Sequence, residues 1–265
     1  MRDRVCVIFL SYFNACFLIM FRKGVICMKI LLFVILFFNV FAASANFMVY
    51  PISKDIQSGG SETIKVFSKS KDVQYIKIYT KRVINPGTKE EQEVDIKNWD
   101  GGLIVTPAKV VLPAGASKSI RLTEINKKEQ EEVYRVYFES VKPGQQDDIE
   151  EKNGRVNTDL SVNIIYAALI RTSPENPQRK LDVSIESNNV WIKNTGNIRL
   201  GIKDVFLCDT TSINDKCAKF SYNRNLYPDM SVDTKLGKKG FSYAVIDTKD
   251  DRNENSGELI NIKLP

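Results

Sequence analysis

Between Asn46 and Pro265 the apolar residues fall at every second position in short runs, and a cluster of turn residues ends each run. Successive strand side chains point to opposite faces, so this two-residue period reads as β-strand, and no long helical period competes with it. Strands are expected at 47–52, 62–68, 74–83, 103–106, 109–112, 117–123, 134–141, 159–170, 181–185, 190–194, 198–206, 242–246 and 259–264. Breaks such as Ser58-Gly59-Gly60, Asn85-Pro86-Gly87, Asp100-Gly101-Gly102, Pro113-Ala114-Gly115 and Pro143-Gly144 are of turn type. Thr195-Gly196-Asn197 and Gly237-Lys238-Lys239-Gly240 read as hairpin turns. So many short, regularly punctuated strands predict an all-β chain built of sandwiches.

The first 45 residues stand outside this pattern. Met28-Lys29, the apolar run ILLFVILFFNVF and Ala43-Ser44-Ala45 have the charge, core and small-residue site of a secretory signal, with cleavage expected after Ala45. The apolar stretch upstream of Met28 reads as an over-extended start, the alternative being a membrane anchor that begins at Met1. Residues 171–177 (RTSPENP) are polar and carry two prolines, as a stiff connector would. We therefore expect one domain at 46–172, a linker at 173–177 and a second domain at 178–265.

Cysteine usage agrees with export. Three of the five cysteines leave with the leader, and Cys208 and Cys217 are expected to close a small loop as a disulfide. The leader also removes Arg2, Arg4, Arg22, Lys23 and Lys29 against Asp3, so the formal net charge falls from +6 to +2. That balance argues for neither nucleic acid nor a membrane surface as partner, and no stable membrane insertion of the processed chain is expected. With no histidine in the chain, Ser-His-Asp and Cys-His catalysis are excluded and a zinc site is disfavoured. The paired acids Asp147-Asp148 and Glu150-Glu151 lie in an apolar-poor loop and read as solvated surface. We expect no enzyme, no cofactor and no metal.

The stretch 158–170, TDLSVNIIYAALI, is the most informative of the strands. Thr158, Leu160, Val162, Ile164 and Tyr166 share one face, while Ser161 and Asn163 look away. Such a row either enters its own core or is lent to another protein. The preceding segment, 142–157, is rich in acids and cannot bury enough to order itself, which would leave the front of the strand without a partner.

Thr106-Pro107, Leu112-Pro113-Ala114-Gly115 and Ile120-Arg121-Leu122, followed by EEVYRVYFESVKP at 131–143 and a strand that ends at Arg171, resemble the ordered motifs of PapD-like periplasmic chaperones. The start at Asn46 and Asn98-Trp99-Asp100-Gly101-Gly102 resemble in particular the alternate-class chaperones of colonisation-factor (alpha) fimbriae. The resemblance covers most of the processed chain. It implies two immunoglobulin-like sandwiches set as an L or boomerang. It also implies a periplasmic protein that lends a strand to incomplete fimbrial subunits and delivers them to an outer-membrane usher. The implied partners are a fimbrial major subunit, a tip adhesin and the usher.

On this reading Leu160, Val162 and Ile164 form the inserted row, with Thr158 ahead and Tyr166 behind. The family also holds the terminal carboxylate of its client with two cations. Lys54 matches the first by position. The second falls on Ala167, so Arg135 or Arg171 is left to supply it. The family's strand-end arginine ties the domains together, here as an Arg171–Glu131 ion pair, and Arg121 resembles an internal structural arginine. The donor edge is also a candidate for self-association. The alternative reading is a structural fimbrial subunit or adhesin of similar build. The strand-like start at Phe47 disfavours it, because such a protein should open on a disordered donor segment.

Overall fold

The computed structural model describes residues 46–96, 102–141, 164–238, 240–249 and 257–265. All regular structure among these residues is β. One sheet contains β1 (Phe47–Tyr50), β3 (Ser61–Ser68), β8 (Ser117–Glu124) and β6 (Leu103–Thr106), in that spatial order. Against it lies a sheet of β2 (Ser53–Ile56), β10 (Ile165–Thr172), β9 (Glu132–Val141), β4 (Gln74–Ile84) and β5 (Gln92–Asp95), with β7 (Lys109–Leu112) also on β4. The alternation seen in the sequence fills the space between them. Ile64, Val66, Ile120 and Leu122 of the first sheet meet Ile76, Ile78, Val136, Phe138, Ala168 and Ile170 of the second, all buried.

The strand expected at 47–52 ends at Tyr50, and β2 beyond it was not expected. Pro51 has no amide hydrogen to give to a ladder, and the chain crosses there from the first sheet, as β1, to the second, as β2. β2 then runs parallel to β10, which places Lys54 opposite Ile170 and Asp55 opposite Arg171.

The remaining strands form β11 (Leu181–Glu186), β12 (Asn189–Asn194) and β15 (Ser231–Gly237) in one sheet. The facing sheet orders β14 (Ala218–Leu226), β13 (Leu200–Cys208), β16 (Tyr243–Lys249) and β17 (Leu259–Lys263). Both expected hairpin turns instead join strands of different sheets, β12 to β13 and β15 to β16. Gly196 is needed at the first of these because a Cβ there would lie 2.3 Å from the Gln178 carbonyl oxygen. Strands β5, β14 and β15 were not expected. β5 has a single apolar residue, and in β14 Phe220, Tyr222 and Leu226 turn to the core among polar neighbours. Cys208 and Cys217 are joined, closing the loop between β13 and β14.

Among the described residues no strand of β1–β10 pairs with one of β11–β17. Side chains join the two halves. Val83, Val133 and Leu169 pack against Tyr227 and Met230, and Gln130 donates to Asp229 Oδ2 at 2.9 Å.

Candidate functional site

β10 is covered unequally on its two flanks. β9 pairs with it along its whole length, from Ile165 opposite Glu139 to Thr172 opposite Glu132. β2 covers the other flank only from Leu169 to Thr172. The flank of residues 165–168 therefore has no strand partner among the described residues. The even-numbered row shows where the sandwich ends. Ile170 and Ala168 are fully buried, Tyr166 is half-buried, and Ile164 is 39% exposed. The face that builds the core thus runs out of that core toward its N-terminal end. Tyr166 stays with its own sandwich, because its ring meets Phe47 edge-on at 5.1 Å between centroids. Thr158, Leu160 and Val162 lie outside the described residues.

Beside this strand opens a cleft of about 1230 Å³, whose charged lining includes Lys54, Asp55, Glu131, Arg171, Arg179 and Arg199. Lys54 Nζ sits 2.7 Å from Glu62 Oε2, and both side chains are partly exposed. Arg171 donates through Nε to Asp55 Oδ1 at 2.6 Å and through Nη2 to Ser53 Oγ at 3.1 Å. Arg199 donates through Nη1 to Glu131 Oε2 at 2.6 Å, and its Nη2 lies 3.3 Å from each Asp55 oxygen.

The expected Arg171–Glu131 pair is therefore replaced by a relay, Arg171–Asp55–Arg199–Glu131. The parallel register explains the difference, since it sets Asp55 directly across from Arg171. Burial pushes the Asp55 carboxyl up, but the hydrogen bonds and charges of Arg171 and Arg199 outweigh it and hold the group below its ordinary range. At Glu131 burial prevails over Arg199 and the carboxyl rises.

Arg135 does not serve the cleft. It stands on β9 opposite Leu169, donates through Nη2 to Glu91 Oε1 at 2.5 Å, and gives Nη1 to Glu93. Tyr137 donates its hydroxyl to the same Glu93 carboxylate at 2.6 Å and stacks on Tyr79. With both arms taken by acids and no place in the cleft lining, Arg135 is a brace of the β9–β5 face. Asp55, Arg179, Arg199 and Lys249 line the cleft and were not anticipated. Asp55 follows Lys54 in sequence, but only the β2–β10 register reveals its partner. Arg199 and Lys249 belong to segments with no motif. Arg179 is exposed and Lys249 Nζ donates to Asn223 Oδ1 at 2.9 Å. Among the described residues no group of three or more acids or cysteines is placed to hold a metal ion.

No protein-family model matches the chain. Two fimbrial proteins from Escherichia coli do. The one from CFA/I fimbriae, named as a fimbrial subunit, is 54% identical over 226 residues, covering 85% of this chain and 94% of the relative. The one from CS1 fimbriae, named in the same way, is 54% identical over 235 residues, covering 88% and 98%. The crystal structure of the class 5 fimbriae chaperone CfaA superposes with a TM-score of 0.71 at 52% identity, across 82% of this chain and 98% of that one. The chain belongs to the PapD-like fimbrial chaperones. A chaperone–tip adhesin complex of CFA/I fimbriae biogenesis matches with the same TM-score and identity. As in this family, the fold is two immunoglobulin-like sandwiches, and the half-covered β10 and the charged cleft lie in one chaperone chain.

Proposed function

We propose that this chaperone works in the periplasm, where it binds fimbrial subunits by lending them the leading end of β10 and hands them to an outer-membrane usher. The observation that carries the proposal is the uncovered flank of residues 165–168 together with a core row that emerges at Ile164. A client with an unfilled apolar groove and a free strand edge finds both needs met there, through backbone hydrogen bonds and alternate side chains. Each aliphatic side chain transferred into such a groove is worth about 1.5–3 kcal/mol before ordering costs. Leu160 and Val162 continue the row by sequence, and Lys54 is the cation assigned to the client's terminal carboxylate. The division at 173–177 separates the two sandwiches, and the leader before Asn46 directs export. The same β10 edge, free of a client, is the surface through which two copies would associate.

The test is co-expression with the CFA/I tip adhesin, the client of a relative's complex. Wild type should co-purify with it. Ile164→Asp should keep the melting temperature, since the position is partly exposed in the free chain, yet lose the complex, because a carboxylate cannot enter an apolar groove cheaply. Undiminished complex with Ile164→Asp would sink the strand-lending account.

A further inference from the structure

β10 also carries apolar residues on the face turned away from its core, and the first of them, Ile165, is 45% exposed. Ile165, Ala167, Leu169 and Arg171 alternate with the buried row, so they stand on the outer face of the sheet. Two of the four are accounted for by the fold. Leu169 packs with Tyr227 and Met230 at the joint between the sandwiches, and Arg171 is bound to Asp55. Ala167 is half-buried opposite Tyr137. Ile165 stands opposite Glu139, at a place where a polar residue would serve the free chain as well.

A single exposed aliphatic is common on protein surfaces and needs no explanation. Ile165 is not single. Tyr137 lies two residues from Glu139 on β9, on the same outer face, and its ring stacks on that of Tyr79 on β4. The two centroids are 5.0 Å apart and the planes differ by 8°. Lys77 Nζ lies 5.6 Å from the Tyr79 centroid, which puts a cation at the β4 end of the stack. At the β10 end the cross-strand neighbour of Tyr137 is only the methyl group of Ala167. An aliphatic side chain and an aromatic ring thus flank a small residue, and this happens on the stretch of β10 whose far flank has no strand partner among the described residues.

A strand added along residues 165–168 would continue the sheet, so its side chains would alternate between the core side and this outer face. Directly opposite side chains lie about 5 Å apart across a sheet, and long or aromatic ones reach their diagonal neighbours too. A bulky side chain paired beside Ala167 on the outer face therefore meets Ile165 and, across the methyl group, the edge of the Tyr137 ring.

We propose that Ile165, Ala167 and Tyr137 form a second seat for the client, on the outer face, which takes a bulky aliphatic or aromatic side chain from the client strand that pairs with β10. The inference rests on the strand lending proposed above, yet it asks for a contact that filling a groove does not need, since the groove takes the even-numbered row alone. The seat senses one position of the client strand itself. It would separate clients whose grooves are alike but whose paired strand is polar at that position.

The experiment co-expresses the CFA/I tip adhesin with equal amounts of wild-type and variant chaperone, told apart by mass, and reads the ratio captured. Ile165→Ser should be captured roughly fivefold less than wild type, the scale of one lost cross-strand apolar pair, and Ile165→Val should stay near parity. Both variants should keep the wild-type melting temperature, because the side chain is partly in water in the free chain. By NMR, the ring signals of Tyr137 and Tyr79 should shift when the wild-type chain holds the adhesin. Equal capture of Ile165→Ser and wild type, or tyrosine rings that ignore the adhesin, would overturn the seat while leaving strand lending in place. Capture lost in step with melting temperature would make Ile165 a structural residue and overturn it as well. Ile164→Asp captured at parity would remove strand lending, and the seat would fall with it.

Discussion

Lys54 and Arg171 differ in what holds them, and on the function proposed above that difference bears on which would receive a client's charge. Arg171 is largely buried and bound to Asp55 and Ser53, so recruiting it would break a charge-assisted bond inside the relay. Lys54 has Glu62, at 2.7 Å and partly in water, and such a pair contributes about 0–1 kcal/mol. Exchanging Glu62 for a carboxylate that is being desolvated costs little and gains a stronger pair. Lys54→Ala should therefore leave the melting temperature nearly unchanged while weakening capture of the CFA/I tip adhesin by roughly tenfold or more, as expected when a buried carboxylate is deprived of its cation. Titration calorimetry on the two proteins reads this directly, and equal affinities would remove Lys54 from the site.

Among the elements, the β13–β14 hairpin shows how a weak strand is held. β14 lies at the edge of its sheet, and it meets the core through Leu226 and through Phe220 and Tyr222, whose rings lie 6.2 Å apart. The Cys208–Cys217 bridge closes the loop just where Leu207 pairs with Ala218, with a sequence separation of 9. Loop-closure entropy for so short a loop is worth about 2–3 kcal/mol. Cys208→Ala with Cys217→Ala should lower the melting temperature by roughly 5–10 °C. Hydrogen exchange should quicken first in β14, and uniform protection loss across both halves would contradict this. The bridge could be read from the cysteines alone, whereas β14 could not, because its polar positions mask a two-residue period. Strands with an alternating apolar row, such as β3, β9 and the described part of β10, were legible to within a few residues. What stayed hidden needed register: the sheet change at Pro51, the pairing of Asp55 with Arg171, and the capture of Arg135 by Glu91 and Glu93, just before and within a strand with one apolar residue. The charged candidates were found as residue types, and pairing decided which of them reach the cleft.

At the scale of the whole chain, two sandwiches that share no strand pairing among the described residues are joined by an apolar patch and a charged relay. The relay alone is a poor clamp. Glu131 is buried with one oxygen unpartnered and its carboxyl raised, so part of the attraction to Arg199 is spent on desolvation. Tyr227 carries more. It is 8% exposed, packs with Val83 and Val133, and its ring lies 3.6 Å from where a Cβ on Gly87 would stand. A backbone bond and a side-chain bond tie the same region, with the Glu131 amide donating to Asn197 O at 2.8 Å and Asn197 Nδ2 to Glu129 O at 3.0 Å. Removing a buried aromatic ring of this kind costs about 3–5 kcal/mol where neighbours cannot collapse into the space, and here that loss falls on the joint and not on either core. The wild-type chain should melt in one calorimetric transition. Tyr227→Ala should split it into two, with van't Hoff and calorimetric enthalpies no longer equal. If the variant instead melted as one lowered peak, cooperativity would have to reside in the relay and the backbone bonds. Arg199→Leu would then be the change that separates the halves.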